Sequence, residues 1–261
     1  MSPRFEPAIG RYLHLDLLGR PHRLYVEEAG SGIPLLCLHT AGSDGRQYRG
    51  LLNDERITRD YRVIVFDMPW HGKSSPPAGW ENEDYRLTSR DYVRMILEIS
   101  AALELDRPVV MGHSWGGAVA VRYAAAYPED VRAVVLLDSG HLDYRDLPDV
   151  DADRPVEAWI ADVEARDDPR RAEARGRAMS GLLDRVSGAW PALAEHGIPT
   201  LLFLATEPPH VLDNRRHIGR FEAAVPQAEV RWPEGARHGL LADVGPPLGD
   251  AIATWLVEQG L

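Results

Sequence analysis

The sequence predicts an α/β protein with a mostly parallel central sheet, helices on both faces and an antiparallel hairpin at one edge. Two observations predict this class. Short apolar runs alternate with helix-prone stretches from residue 34 onward. In addition, the run Gly112-His113-Ser114-Trp115-Gly116-Gly117 lies between an apolar stretch and an alanine-rich one. A serine on a tight turn from a buried strand into a helix is typical of a nucleophile elbow, where the flanking residues must be small.

The individual elements follow from composition and periodicity. Residues 10–31 alternate apolar and polar side chains around Gly19-Arg20-Pro21, which predicts the edge hairpin. Buried strands are predicted at residues 34–39, 62–67, 109–112, 132–138, 200–204 and 228–232. Helices are predicted at residues 89–105, 115–127, 215–225 and 248–259.

One segment interrupts the alternation of strands and helices. Residues 140–197 are charged, alanine-rich and helix-prone, and they include Trp159 and Trp190. We expect a helical cap there, inserted into a core of residues 1–139 and 198–261. A disordered acidic linker is the alternative, which the aromatic residues and Leu182-Leu183 disfavour.

Bulk composition limits the partners and the location of the protein. The chain has 261 residues and a net charge of −11. It lacks a basic run, so we expect neither a nucleic acid nor a membrane as partner. The single cysteine cannot form an internal disulfide, and no run reaches the ~18 apolar residues of a membrane span. Since the N-terminus also lacks a signal-peptide core, we expect a cytoplasmic protein of unassigned oligomeric state.

Reactive side chains follow the predicted strands at their carboxyl ends, where open parallel sheets bind ligands. These residues are His39, Asp67, Ser114, Asp138 and Glu207. A serine hydroxyl needs a base to become a nucleophile. His238, in a glycine-flanked loop after the last predicted strand, is the best candidate for that base. Asp67 is interpreted as a residue that organises its own loop.

The chain resembles the α/β-hydrolase-fold serine hydrolases over nearly all of its length. The resemblance is carried by the loop at residues 38–42, the stretch at residues 66–74, the elbow and the late histidine. It implies that Ser114 is the nucleophile and His238 the general base.

The resemblance also implies where the oxyanion binds. The donors would be the backbone N–H groups of Ala41 and Trp115, with the Trp115 side chain directed towards the pocket. The chain departs from the family in one respect, because Thr40 stands where the family usually has a glycine after the histidine.

The acid of the catalytic set has three candidates. The commonest family position lies a few residues past residue 204, where the chain offers Glu207 and, further on, Asp213. The other known placement is the end of the preceding strand, which is Asp138. We favour Asp138 and keep Glu207 and Asp213 as alternatives.

A serine nucleophile indicates acyl transfer to water, and it excludes the chemistry of relatives that use aspartate at the elbow. We expect a small or medium ester or lactone as substrate, macrolide-type lactones included. Tyr48, His141 and Tyr144 are candidate substrate contacts. No metal and no cofactor are expected, because the sequence has neither a metal-ligand cluster nor a dinucleotide motif. The alternatives are a ligand receptor with little turnover, a carbon–carbon bond hydrolase and a perhydrolase.

Overall fold

The structure is a computed structural model that describes residues 8–82, 87–143, 146 and 185–261. Most of the predicted cap lies outside the described residues, so the cap remains a prediction. Its described ends are residues 140–143, 146 and 185–197. There the indole N–H of Trp190 donates a hydrogen bond to the Gly140 carbonyl over 2.7 Å.

The described strands form one sheet of eight strands, which confirms the predicted fold class. The order across the sheet is β1-β2-β4-β3-β5-β6-β7-β8. Strands β1 and β2 form the antiparallel hairpin at one edge, β2 pairs antiparallel with β4, and the other pairs are parallel. The strands are β1 (Ile9–Leu17), β2 (Arg20–Ala29), β3 (Ile33–Leu38), β4 (Tyr61–Phe66), β5 (Val109–His113), β6 (Ala133–Leu137), β7 (Thr200–Phe203) and β8 (Glu229–Arg231).

Helices cover both faces of the sheet. They are α1 (Arg49–Leu52), α2 (Glu55–Thr58), α3 (Ser89–Ala102), α4 (Trp115–Ala126), α5 (Trp190–Glu195), α6 (His210–Ala224), α7 (Leu240–Asp243) and α8 (Pro246–Glu258). Short 3-10 helices span Gly45–Tyr48, Trp80–Asn82, Pro128–Asp130 and Val186–Ala189. Among the described helices, none is long and apolar enough to cross a membrane.

Helix α6 begins at His210, earlier than the predicted start at Arg215. Its buried face carries the polar residues Asn214 and His217 besides Val211 and Phe221. Apolar periodicity is the main sequence signal for a helix, and these polar residues interrupt it over the first turns.

Two apolar cores enclose the sheet. One contains α3 and α4, and the other contains α1, α2 and α8. Every residue of β5 and β6 is buried. Strands buried on both faces read as continuous apolar runs, which is why the sequence predicts them so directly.

The elbow between β5 and α4 needs two glycines. A Cβ atom on Gly112 would lie 2.3 Å from the carbonyl oxygen of Gly116, and one on Gly116 would lie 2.2 Å from the carbonyl oxygen of Leu38. Both contacts are with backbone, which cannot rotate away. The close approach of α4 to strands β3 and β5 therefore depends on the absence of side chains at these positions.

Replacing Gly116 with alanine should lower the free energy of unfolding by about 1–3 kcal/mol, since the new methyl group forces the helix away from β3. The matched control is Gly219→Ala in α6, where a Cβ would have no atom within 4 Å. That change should raise stability by about 0.5–1 kcal/mol. Urea unfolding followed by circular dichroism measures both. Equal midpoints for Gly116→Ala and wild type would contradict the close approach.

Candidate active site

Ser114 occupies a strained turn between β5 and α4. Its backbone has φ 54° and ψ −122°, a region that residues other than glycine rarely adopt. The Ser114 N–H donates to the Leu137 carbonyl over 3.1 Å, and the Ser114 carbonyl accepts from Gly117 N–H over 2.9 Å. The sheet therefore holds the serine on one side and the first turn of α4 holds it on the other.

Two backbone N–H groups beside the elbow are available to an anion. Within the described part of the chain, no acceptor receives the N–H of Ala41 or the N–H of Trp115. The Thr40 N–H is different, because it donates to Oε1 of Gln47 over 3.2 Å. The positive φ of this loop falls on Gly42, at 71°, so the threonine at position 40 takes the place of glycine without backbone strain.

Two buried histidines fix this loop. His39 Nε2 accepts from Met68 N–H over 3.0 Å, which leaves its Nδ1–H to donate to the Thr40 carbonyl over 2.8 Å. His71 Nε2 likewise accepts from Gly42 N–H over 3.1 Å, and its Nδ1 lies 3.0 Å from the Pro69 carbonyl. Burial lowers the pKa of both imidazoles, that of His71 to about 3. Neutral rings that accept at one nitrogen and donate at the other suit these positions.

The carboxylate of Asp138 holds His238. Asp138 Oδ2 lies 2.6 Å from His238 Nδ1. The other oxygen, Oδ1, accepts from Ala205 N–H over 3.0 Å and from the Asn214 amide over 2.7 Å. A carboxylate at Nδ1 fixes the ring tautomer and leaves Nε2 to act as a base.

Burial would raise the pKa of Asp138, but hydrogen bonds from His238 and Ala205 outweigh it and hold this pKa at about 2. The carboxyl side chain is 1% exposed. It is therefore a buried charge that its donors keep ionised at neutral pH.

The two alternative acids lie elsewhere in the described structure. Glu207 is exposed at the surface, and its N–H donates to the Ala236 carbonyl. Asp213 forms an ion pair with Arg216 over 3.7 Å on the first turns of α6. Of the three candidates, the one that contacts His238 is Asp138.

Asn214 is a site residue that the sequence analysis missed. Besides Asp138, its amide N–H₂ donates to the Ala205 carbonyl over 3.2 Å, while its Oδ1 lies 3.0 Å from His141 Nε2. A single asparagine on a helix carries no sequence signal for such a role. The same contact corrects the prediction for His141, which is 1% exposed behind Asp138 and is unsuited to touch a substrate.

Three other predicted positions have different outcomes. Tyr48 is fully buried, and its hydroxyl donates to the Leu38 carbonyl over 2.8 Å, so the prediction of a substrate contact is corrected to a core residue. The Trp115 side chain is also in the core, instead of facing the pocket. Its ring is edge-on to that of Tyr92, with ring centroids 4.4 Å apart. Tyr144 lies outside the described residues.

Two further histidines flank the ring of His238. The ring of His113 lies 4.7 Å away, and its Nε2–H donates to the His238 carbonyl over 2.6 Å. Burial, followed by the effect of His238, lowers the pKa of His113 to about 3, so this ring is neutral. His210 stacks on His238 with ring centroids 4.3 Å apart and planes within 13°. His238 thus contacts two further imidazole rings, one tilted and one stacked.

Asp67, at the end of β4, organises its own loop as predicted. Its two oxygens accept from the N–H groups of Gly45 and Lys73, each over 2.7 Å. This carboxylate is committed to backbone donors.

A serine at a strand–turn–helix elbow, with a histidine–aspartate pair at the same edge of a mostly parallel sheet, defines the α/β-hydrolase class. The family model described as alpha/beta hydrolase fold matches residues 33–173, which is more than half of the chain. This chain therefore belongs to the α/β-hydrolase family.

Individual relatives agree with this assignment. The chain is 32% identical over 138 residues to 1-acylglycerol-3-phosphate O-acyltransferase ABHD5 of Rattus norvegicus, and the match covers 52% of this chain and 38% of that protein. The chain thus matches well under half the length of this curated relative.

Solved structures share the fold over nearly the whole chain. A meta-cleavage product hydrolase from Pseudomonas fluorescens IP01 has a TM-score of 0.71 at 20% identity and covers 94% of this chain and 97% of its own. A thermophilic esterase from Thermogutta terrifontis has a TM-score of 0.71 at 18% identity, with coverage of 95% and 99%.

The low pKa of Asp138 has a consequence for acid stability. A folded pKa below the ordinary value of 3.8 stabilises the protein above about pH 4, and this contribution is lost as the pH falls towards 2. Between about pH 5 and pH 2.5, the wild type should lose about 1.5 kcal/mol relative to Asp138→Asn. Urea unfolding at both pH values measures the difference. The control Glu207→Gln changes an exposed carboxylate and should follow the wild type. A constant gap between wild type and Asp138→Asn would contradict the low pKa.

Proposed function

We propose that this protein is a serine hydrolase that cleaves small or medium carboxylic esters or lactones through an acyl-enzyme intermediate on Ser114. The observation that carries the proposal is the 2.6 Å contact between Asp138 and His238 beside the elbow. An imidazole held at Nδ1 by a buried carboxylate is the arrangement that activates a serine.

We propose the following roles for these groups in the reaction. His238 Nε2 takes the proton of the Ser114 hydroxyl while Oγ attacks the substrate carbonyl. The tetrahedral oxyanion accepts hydrogen bonds from the N–H groups of Ala41 and Trp115. When the carbon–oxygen bond breaks, the imidazolium passes its proton to the leaving alcohol. A water molecule, deprotonated by the same imidazole, then attacks the acyl-enzyme, and the acid product and free serine result.

Two local features support this mechanism at the elbow. Helix α4 begins at Trp115, directly after the serine, so the positive end of its dipole faces the developing anion. The His39 and His71 contacts hold the loop that carries Ala41. Both donors are therefore fixed before the substrate arrives, which is the condition for effective electrostatic stabilisation.

The relatives with this fold carry out different reactions. Among these reactions, we propose ester or lactone cleavage for this chain. The Thermogutta protein is an esterase, the Pseudomonas protein a hydrolase of meta-cleavage products, and the rat protein an acyltransferase. An acyl-serine intermediate is common to ester hydrolysis and acyl transfer, and the two reactions differ in whether water or an alcohol accepts the acyl group.

A fluorophosphonate should add covalently to wild-type protein and fail to add to Ser114→Ala, because the reagent needs an activated hydroxyl. Intact mass spectrometry measures the adduct. On short-chain p-nitrophenyl esters, Ser114→Ala should lose at least about 10⁴-fold in kcat. Adduct formation without multiple turnovers would favour the ligand-receptor alternative. A wild-type protein that forms no adduct would contradict the proposal.

The role of Asp138 is tested by comparing three carboxylates that the sequence offers. Asp138→Asn should lower kcat by about 10³–10⁴-fold, since the amide no longer fixes the required His238 tautomer. Glu207→Gln and Asp213→Asn are matched controls, and each should stay within about threefold of wild type because neither contacts His238. Initial rates on the same ester measure all three. A large loss in either control with near-normal Asp138→Asn would assign the acid to the other carboxylate.

A further inference from the structure

A second histidine shares the carboxylate oxygen that holds His238. His210, the first residue of α6, has its Nδ1 3.9 Å from Asp138 Oδ2, the oxygen that also lies 2.6 Å from His238 Nδ1. One ligand atom from each of the three residues lies within 4.8 Å of the others. The hydrolytic mechanism uses Asp138 and His238, and it leaves His210 without a role.

Two of the three separations are close to those of a transition-metal site, and the third, between the two imidazoles, is within 4.8 Å. In a tetrahedral zinc site, with bonds of about 2.0–2.2 Å, ligand atoms lie about 3.3 Å apart. The two distances to Asp138 Oδ2, 2.6 and 3.9 Å, lie on either side of that value. A change of about 0.6–0.7 Å in each distance, together with a turn of the His210 ring, would bring both nitrogens to zinc-bonding separation from the carboxylate oxygen.

The surroundings of the cluster favour a monodentate carboxylate and an accessible site. Ala205 and Asn214 occupy Oδ1 of Asp138, so Oδ2 is the oxygen that faces the two histidines. The His210 side chain is 41% exposed and the His238 side chain 30% exposed, so an ion can enter from solvent. Within the described residues no hydrogen bond restrains the His210 imidazole. Because this ring stacks on His238 with planes within 13°, it has to turn out of the stack to direct a nitrogen at an ion bound to His238 Nδ1.

We propose that Asp138, His210 and His238 form a binding site for a transition-metal ion such as Zn²⁺, and that the bound ion inhibits the enzyme. The inhibition rests on the proposed hydrolase function, whereas the binding does not. The ion takes the place of the proton between Asp138 and His238 and bonds to His238 Nδ1, with water as its fourth ligand. The neutral ring then carries its proton on Nε2. Nε2 can no longer accept the proton of Ser114, so the serine stays protonated.

The donor set also determines which ions bind. Two imidazoles and one carboxylate suit Zn²⁺, Co²⁺ and Ni²⁺, whereas Mg²⁺ and Ca²⁺ prefer oxygen ligands. The site therefore discriminates between these two classes of divalent ion.

Binding is measured directly by isothermal titration of Zn²⁺ into chelator-treated protein without substrate. The test variant is His210→Phe, which keeps an aromatic ring against His238 and removes the nitrogen. The matched control is His196→Phe, which makes the same change at an exposed histidine outside the cluster. We expect one Zn²⁺ site whose Kd rises at least about tenfold in His210→Phe and stays at the wild-type value in His196→Phe. Equal affinity in wild type and His210→Phe would overturn the proposal.

Inhibition is measured on a p-nitrophenyl ester, with each variant compared with its own metal-free rate. Zn²⁺ should inhibit wild type and His196→Phe reversibly on addition of chelator, His210→Phe should need at least about tenfold more Zn²⁺, and Mg²⁺ should have no effect. Equal inhibition of His210→Phe, or inhibition by Mg²⁺, would overturn the metal site while leaving the hydrolase proposal intact. Specific Zn²⁺ binding by a protein without ester turnover would sustain the site and contradict the hydrolase proposal.

Discussion

The hydrogen bond between Asp138 and His238 joins parts of the chain that lie 100 residues apart. It requires a charged carboxylate with 1% exposure, which is tolerable because every oxygen of Asp138 has donors. These donors come from the strand end after β7, from α6 and from the loop after β8. Removing one partner of a buried charge costs several kcal/mol, so the carboxylate fixes the relative positions of all three segments.

Backbone geometry at the ends of β5 and β6 follows one pattern. Ser114 and Asp138 both have positive φ, at 54° and 45°. In each case the residue's N–H still bonds to the neighbouring strand, at Leu137 and Phe203 respectively, before the chain turns away. The strain persists because the parallel ladder fixes one side of each residue. The sheet thus places Ser114 and Asp138 at adjacent strand ends.

The sequence predicts those parts of the fold that depend on a single segment of the chain. The buried strands, the hairpin and the elbow are local patterns of composition, and they were predicted within a few residues. Contacts between side chains from distant segments are harder to predict from the sequence. Asp138, Glu207 and Asp213 could be separated only by knowing which loop approaches His238. Asn214 lies on α6, whose buried polar residues interrupt the apolar periodicity of its first turns. Tyr48 and His141 are buried, and no local sequence pattern indicates this.

The histidines around the elbow show that environment assigns the chemical role. His39, His71 and His113 are buried, and burial lowers their pKa, so each is a neutral ring that hydrogen-bonds to backbone. Both nitrogens of His39 and of His71 contact loop backbone, and His113 Nε2 donates to the His238 carbonyl. His238 differs from these three because it has a carboxylate at Nδ1 and a side chain that is 30% exposed. An accessible imidazole with an ionised partner can receive a proton and stabilise the resulting charge, whereas a buried ring without one cannot. Among these four histidines, His238 is therefore the one that suits the general-base role in the proposed mechanism.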